Sequence, residues 1–281
     1  MYQAGLVLEG GGMKGVYTTG VLDYFLEKGL SFSCCYGVSA GAIHMCNFLA
    51  GNKERGLRTS VNYLNDRHYC GLYSLLTTGD YFGVDFCYRK IPTELEPFDN
   101  DTFRRQKTKA YAVITNIVTG KPEYYQIKDI YKDMLAIRAS SSLPLLSRNV
   151  IIDGKPYLDG GLSDSIPLGK SIEDGNVKNV VILTKEEGYV RQPSSMLLPM
   201  KLKYRKYPKV YENMKRRHRV YNRSMRLVQQ EKEAGRAFVI QPCEALDIGR
   251  VEKDADKLRQ IYRIGYEDGK RAYDELIAFL A

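Results

Sequence analysis

Gly37-Val38-Ser39-Ala40-Gly41 is a Gly-x-Ser-x-Gly pentapeptide, and its residue types are those a nucleophilic serine needs. A tight turn from strand to helix forces such a serine into a strained backbone conformation, and the flanking glycines keep side chains off the neighbouring strand and helix. The hydroxyl then projects above a helix N-terminus, where the helix dipole favours developing negative charge. Acyl transfer through a covalent intermediate is the chemistry this serves. The bare pentapeptide recurs by chance, but here it closes an apolar run, Ser31 to Val38.

A second glycine-rich element, Gly10-Gly11-Gly12-Met13-Lys14-Gly15, follows the apolar run Gln3 to Leu8. It fits Gly-x-Gly-x-x-Gly, but a dinucleotide site also requires an acid about 20 residues on, at the end of the second strand. That strand ends Cys34-Cys35-Tyr36-Gly37-Val38-Ser39, without an acid, and no Gly-Lys-Ser/Thr follows to make a phosphate loop. What remains is a turn whose exposed backbone N–H groups can hold an oxyanion, an interaction that contributes a few kcal/mol to acyl transfer.

A serine nucleophile needs a base. His44 lies on the same predicted helix as the pentapeptide, about 140° around it, and so is expected to point away. His68 stands in the polar stretch Asp66-Arg67-His68-Tyr69, and His218 sits among cations. Asp159, in Leu158-Asp159-Gly160-Gly161, is the stronger candidate. It closes a short strand, and the two glycines after it let the backbone pass close to another segment. A carboxylate against a serine hydroxyl can accept its proton and return it later.

The elements that must position these groups read as strand (3–8), glycine turn, helix (16–28), strand (31–38) and helix (40–49). That is the opening of an α/β domain with a parallel sheet. Residues 52–107 are polar and helical in parts, and are expected to form a cap. Lys109 to Thr119 and Glu123 to Ile127 read as paired strands around Gly120, with a helix at 130–140. Asp153-Gly154 marks a hairpin between strands at 150–152 and 155–158. A short helix at 167–173, an apolar strand at 179–184, a strand at 237–241 and one long helix at 254–280 complete the pattern. No internal repeat and no interdomain linker stand out.

The 281 residues are 44% hydrophobic and 27% charged, which excludes a disordered or fibrous chain. No apolar run reaches the roughly 18 residues of a membrane span, and the N-terminus lacks a signal-peptide pattern, so a cytoplasmic protein is expected. Six cysteines without Cys-x-x-Cys spacing read as reduced and mostly buried thiols, and only three histidines accompany them; a zinc site is not expected.

The net charge of +9 is local. Between Lys201 and Arg226 eleven Lys or Arg accompany one acid, Glu212, leaving the rest of the chain near −1. Tyr207, Val210, Tyr211, Met214, Tyr221, Met225 and Val228 fall within an arc of roughly 100° at helical spacing. Lys209, Lys215, Arg216, Arg219, Arg223 and Arg226 occupy the remaining circumference. This predicts an amphipathic helix over about 208–228, either with a solvated cationic face or with a platform for anionic lipid headgroups. No nucleic-acid module accompanies it, so nucleic acid is not expected as a partner.

Three motifs in order, Gly-Gly-Gly-Met-Lys-Gly at 10–15, Gly-Val-Ser-Ala-Gly at 37–41 and Asp-Gly-Gly at 159–161, resemble the patatin-like phospholipase family. Ala139-Ser140-Ser141-Ser142-Leu143-Pro144, followed by Asp153-Gly154, resembles the segment leading to that family's catalytic aspartate. The likeness covers roughly residues 5–185. It implies a three-layer α/β/α sandwich with a mainly parallel central sheet. Ser39 would be the nucleophile and Asp159 its dyad partner, with the loop from Gly10 to Gly15 forming the oxyanion hole around Gly11 and Gly12. No metal or cofactor is implied. Lys14 stands where many members carry Arg; the charge is kept, but any bidentate contact made by that Arg would be lost. Residues 186–281 are expected to complete the same domain, and their role does not carry over from the family.

The expectation is therefore a serine hydrolase acting on fatty-acyl esters of phospholipids or lysophospholipids, peripheral at an anionic membrane through residues 201–226. Hydrolysis of small esters or thioesters, and non-catalytic binding of lipid or nucleic acid on a hydrolase fold, are the alternatives.

Overall fold

The structure is a computed structural model that describes residues 1–249 and 251–281. Its centre is one eight-stranded sheet. β1 (Tyr2–Leu8), β2 (Phe32–Val38), β3 (Lys109–Asn116), β7 (Lys178–Ile182) and β8 (Ala237–Ile240) carry the parallel pairings β3–β2, β2–β1, β1–β7 and β7–β8. β4 (Pro122–Ile127) and β6 (Lys155–Asp159) both run antiparallel to β3, and β5 (Val150–Ile152) runs antiparallel to β6. The sheet is mixed and mostly parallel.

The strands are apolar on both sides, as a sheet covered on both faces must be. In β1, Ala4, Leu6 and Leu8 enter the larger core and Val7 the opposite one. β7 repeats this, with Val180 and Ile182 on one side and Val181 on the other. The first face is covered by α1 (Val16–Glu27), α2 (Ala40–Leu49) and α10 (Ala255–Arg271), the second by α7 (Leu168–Glu173) and α9 (Pro208–Glu233). This is the expected α/β/α sandwich. α1 and α10 approach closely because Gly20 and Gly265 carry no Cβ; one at either would collide with the other helix's backbone.

The polar stretch 52–107 folds into α3 (Arg55–Val61), α4 (Leu72–Thr78), a π-helical segment Phe86–Leu95 containing Pro92, and α5 (Asn100–Arg105). Its Val61, Leu64, Tyr69, Phe86, Ile91 and Phe98 join the larger core, so it is a wall built onto the sandwich. α6 (Met134–Ser140) precedes the β5–β6 hairpin, and α8 (Leu197–Lys203), which sequence periodicity did not reveal, precedes α9.

The helix expected over 254–280 is two. α10 ends at Arg271 and α11 (Tyr273–Leu280) follows. The break lets Tyr273 pack edge-on against Tyr24 while Phe279 reaches Phe238 of β8. All six cysteines are free; Cys35, Cys46 and Cys70 are buried, Cys34 and Cys87 are half-buried, and Cys243 is exposed. Among the described residues no helix is long and apolar enough to cross a membrane.

Candidate active site

β2 is buried to its end, and the chain turns into α2 at a single residue. Ser39 has φ 56° and ψ −124°, a left-handed conformation that costs a non-glycine residue roughly 1–3 kcal/mol. The turn is held from both sides. The Ser39 N–H donates to Ser140 Oγ at 2.9 Å, and the Ser39 carbonyl accepts from Ala42 N–H at 2.9 Å. A Cβ on Gly37 would lie 2.6 Å from Ala42 Cα, and one on Gly41 2.7 Å from the Leu8 carbonyl oxygen. Both glycines of the pentapeptide are therefore demanded by close backbone approach.

The glycine loop leaves β1 beside this turn. A Cβ on Gly10 would lie 3.0 Å from Ser39 Cβ, and one on Gly15 2.8 Å from Ala40 Cβ. Gly12 to Gly15 form a 3₁₀ turn in which Met13 is buried. Lys14 Nζ donates to the Leu246 carbonyl. Burial, reinforced by the charge of Lys185, lowers the Lys14 pKa.

Asp159 reaches the same place from the opposite direction. β4 occupies one edge of β3 over residues 110–115, so β6, which pairs with Ile114, Thr115 and Asn116, follows β2 along the other edge. The Asp159 N–H donates to the Ser142 carbonyl at 2.9 Å, and its carbonyl accepts from Thr115 Oγ at 2.8 Å. Oδ1 accepts from Gly161 N–H at 2.7 Å. Gly160 lies so close to Val113 that a Cβ would strike the Val113 carbonyl oxygen. Ser39 and Asp159 are both buried and line one pocket together with Gly10, Gly11, Gly12, Lys14 and Gly161.

Ser39 also lines a second, apolar pocket, whose walls include Met13, Ile43, Ile91, Ile137 and Leu143. The serine thus sits at the junction of two pockets of opposite character. No histidine lines the pocket that holds Asp159, although His44 lines the apolar one beside Ser39. His44 is buried, bonded to Thr19 Oγ at 2.9 Å, and pushed down to about 4 by burial and by the Arg55 charge. His68 pairs with Asp66 on the surface. His218 is half-buried on α9.

Three residues of the site were not read from sequence. Glu9, directly before the glycine loop, is fully buried and accepts from Thr184 N–H at 2.7 Å, from Thr184 Oγ at 3.1 Å and from Tyr221 OH at 2.8 Å. Burial raises its pKa against these bonds. Thr184 in turn packs on Gly11, where a Cβ would lie 2.8 Å from its Oγ. Ser140 braces the turn at Ser39. Arg217 leaves the cationic helix to donate from Nε to the Gly161 carbonyl. Its position was legible in outline, seven residues after buried Val210 and four before buried Tyr221, at the margin of the inward face.

The remaining basic positions divide. Val210, Tyr221 and Val228 are buried as the periodicity predicts, and Asn213 joins them by donating to the Gly120 carbonyl. Lys215, Arg216, Arg219, Arg223 and Arg226 are exposed.

A mixed, mostly parallel sheet covered on both faces, with Gly-x-Ser-x-Gly on a strained turn beside a glycine-rich loop, defines the architecture of a serine hydrolase class. The chain belongs to the patatin-like phospholipase family, whose sequence profile matches residues 6–170. A domain of unknown function (DUF6363) matches residues 207–281. Over 185 residues the chain is 30% identical to the uncharacterized protein YjjU of Escherichia coli (strain K12), a match covering 64% of this chain and 51% of that protein. The chain thus spans about half the length of that relative. It is 26% identical over 195 residues to the probable lipid hydrolase 463L of Invertebrate iridescent virus 6, covering 63% of this chain and 66% of that one. Lysophospholipase nte1 of Emericella nidulans is 26% identical over 171 residues, covering 58% of this chain and 10% of that protein. The crystal structure of VipD from Legionella pneumophila is similar over 98% of this chain and 67% of that one, with a TM-score of 0.49 and 15% identity.

Proposed function

We propose that the protein is a serine acyl hydrolase cleaving fatty-acyl esters of phospholipids or lysophospholipids. The observation that carries this reading is the convergence of Ser39 and Asp159 at one pocket, with an apolar pocket opening from the same serine. Ser39 Oγ attacks the ester carbonyl carbon as its proton passes to the Asp159 carboxylate. N–H groups of the loop from Gly10 to Gly15 hold the oxyanion. Collapse expels the alcohol, which takes the proton from Asp159 and leaves an acyl-enzyme. Water then attacks as Asp159 accepts its proton, and the second collapse frees the fatty acid and restores the Ser39 hydroxyl. The C-terminal segment 186–281 completes the same domain in this reading, supported by β8 in the sheet and α10 on α1.

The cationic segment 201–226 holds the enzyme at an anionic membrane surface. Supporting this are the exposed cations of α9 and the exposed Leu198 and Leu202 of α8, which flank Lys201.

The test is hydrolysis of p-nitrophenyl esters from C4 to C16 by wild type, Ser39→Ala and Asp159→Asn. Long-chain activity falling about 10³-fold or more in both variants supports the dyad. Activity surviving Asp159→Asn reassigns the base, and activity surviving Ser39→Ala removes the mechanism.

A further inference from the structure

The apolar pocket beside Ser39 has a polar far end. Ala40 and Ile43 of α2 line the pocket next to the serine, and Arg55 of α3 lines it as well. Arg55 Nη1 donates to Asn47 Oδ1 at 2.7 Å, and Asn47 lies about two turns beyond Ala40 on the same face of α2. At 1.5 Å per residue, the guanidinium therefore stands about 10 Å from the serine end of the pocket. It is fixed there from two further sides. Nε donates to the Glu96 carbonyl at 2.7 Å, and the guanidinium carbon lies 3.5 Å from the centre of the Phe98 ring. The Glu96 carboxylate acts on Arg55 through space, but its own ion pair is with Arg58 at 3.0 Å. Burial outweighs that charge and brings the Arg55 pKa down to about 10, so the cation persists at neutral pH. Thr59 and Ser60, about one turn along α3, add hydroxyls to the same lining.

We infer that Arg55 is a specificity-determining residue, a fixed floor that limits the acyl chain held inside the pocket to about eight carbons. The inference rests on the proposed ester hydrolysis and adds a chain length to it. An extended chain advances about 1.2 Å per bond, so the roughly 10 Å from serine to guanidinium takes about eight. The pocket's volume, about 140 Å³, points to the same size, since a cavity of that order holds a six-carbon ring. A methyl end pressed onto the guanidinium would bury the charge further without giving it an acceptor, which is unfavourable. The bonds to Asn47 and Glu96 and the stacking on Phe98 keep the side chain from swinging aside. Carbons beyond the floor stay outside the pocket and add nothing to binding there.

The test measures binding of the fatty-acid product and not turnover, so it stands apart from the hydrolysis assay. Calorimetric titration of the full chain uses straight-chain carboxylates from C4 to C12. The expected result is an affinity that rises about two- to fourfold per added carbon up to about C8 and is level beyond it. In Arg55→Met, which keeps an apolar stem against Phe98 and removes the charge, the rise should continue to about C10 or further. Arg55→Lys keeps a cation at the floor and should keep the break near C8. Octanedioate checks the floor in the unaltered protein: its far carboxylate meets the guanidinium, so it should bind at least as tightly as octanoate. A wild-type profile that climbs past C10 without a break, or octanedioate binding more than about tenfold weaker than octanoate, overturns the inference. So does a break left at C8 in Arg55→Met, or no binding at any length. Ester hydrolysis without the break leaves the hydrolase reading standing and removes the floor; the break without hydrolysis does the reverse.

Discussion

Val38 and Asp159 are partnered by consecutive residues of one strand. Val38 pairs with Val113, and Asp159 with Ile114. β2 and β6 therefore run toward each other along a single edge of β3 and stop one residue apart. Strand register, the most rigid coordinate a sheet offers, sets where Asp159 ends relative to the serine that follows Val38.

This arrangement makes Gly160 indispensable. An added methyl would strike the Val113 carbonyl oxygen, and the chain could relieve it only by moving Asp159. Gly160→Ala is expected to cost about 1–3 kcal/mol of stability and to abolish most ester hydrolysis. A variant with wild-type melting temperature and wild-type kcat would contradict the register argument.

Strain at Ser39 gives a second expectation. Ser39→Gly and Ser39→Ala both remove the hydroxyl, but glycine alone occupies φ 56°, ψ −124° without penalty. The glycine variant should melt about 2–4 °C above the alanine variant, equivalent to about 1 kcal/mol. Differential scanning calorimetry on the pair decides it, and an alanine variant as stable as the glycine one counts against stored strain.

Acid sensitivity should report on His44. Its folded pKa is depressed from 6.5 to about 4, so its contribution is full above pH 6.5 and is lost as pH falls toward 4. The loss is on the order of 3 kcal/mol. Asp23, raised from 3.8 to about 6 by burial, has the opposite sign over much of the same range. The difference between wild type and His44→Gln therefore isolates the histidine. Melting temperatures of the two should converge as pH drops from 7 to 4; parallel curves would exclude His44 as the origin.

Charge reversal on the outer face of α9 tests the membrane reading. Lys215→Glu/Arg219→Glu/Arg223→Glu should abolish sedimentation with anionic vesicles, and wild-type binding should weaken as salt rises. Wild-type binding to neutral vesicles as strong as to anionic ones would mean that the cations are only a solvated face.

What was legible in the sequence is what the backbone itself constrains. Gly37, Gly41 and Gly160 are demanded by close backbone contacts with the adjoining helix or strands, and such positions leave a motif. Glu9, Ser140 and Arg217 act through partners 175, 101 and 56 residues away, and no local pattern records that distance. The apolar pocket was hidden for a related reason. Its wall over 86–95 is a π-helix with an internal proline, whose apolar spacing matches neither a helix of 3.6 residues nor a strand. The end of α10 was missed because Tyr273 and Phe279 serve two different surfaces.

The pairing of β1 with β7 has a practical corollary. The family match ends at residue 170, yet β1, which carries the glycine loop, takes its second neighbour from Lys178–Ile182. A fragment cut at the family boundary would present a bare row of N–H and C=O groups along an apolar strand, an open template for intermolecular pairing. The stretch recognised by kinship is thus shorter than the stretch that can be purified, and expression trials designed on the former should yield inclusion bodies.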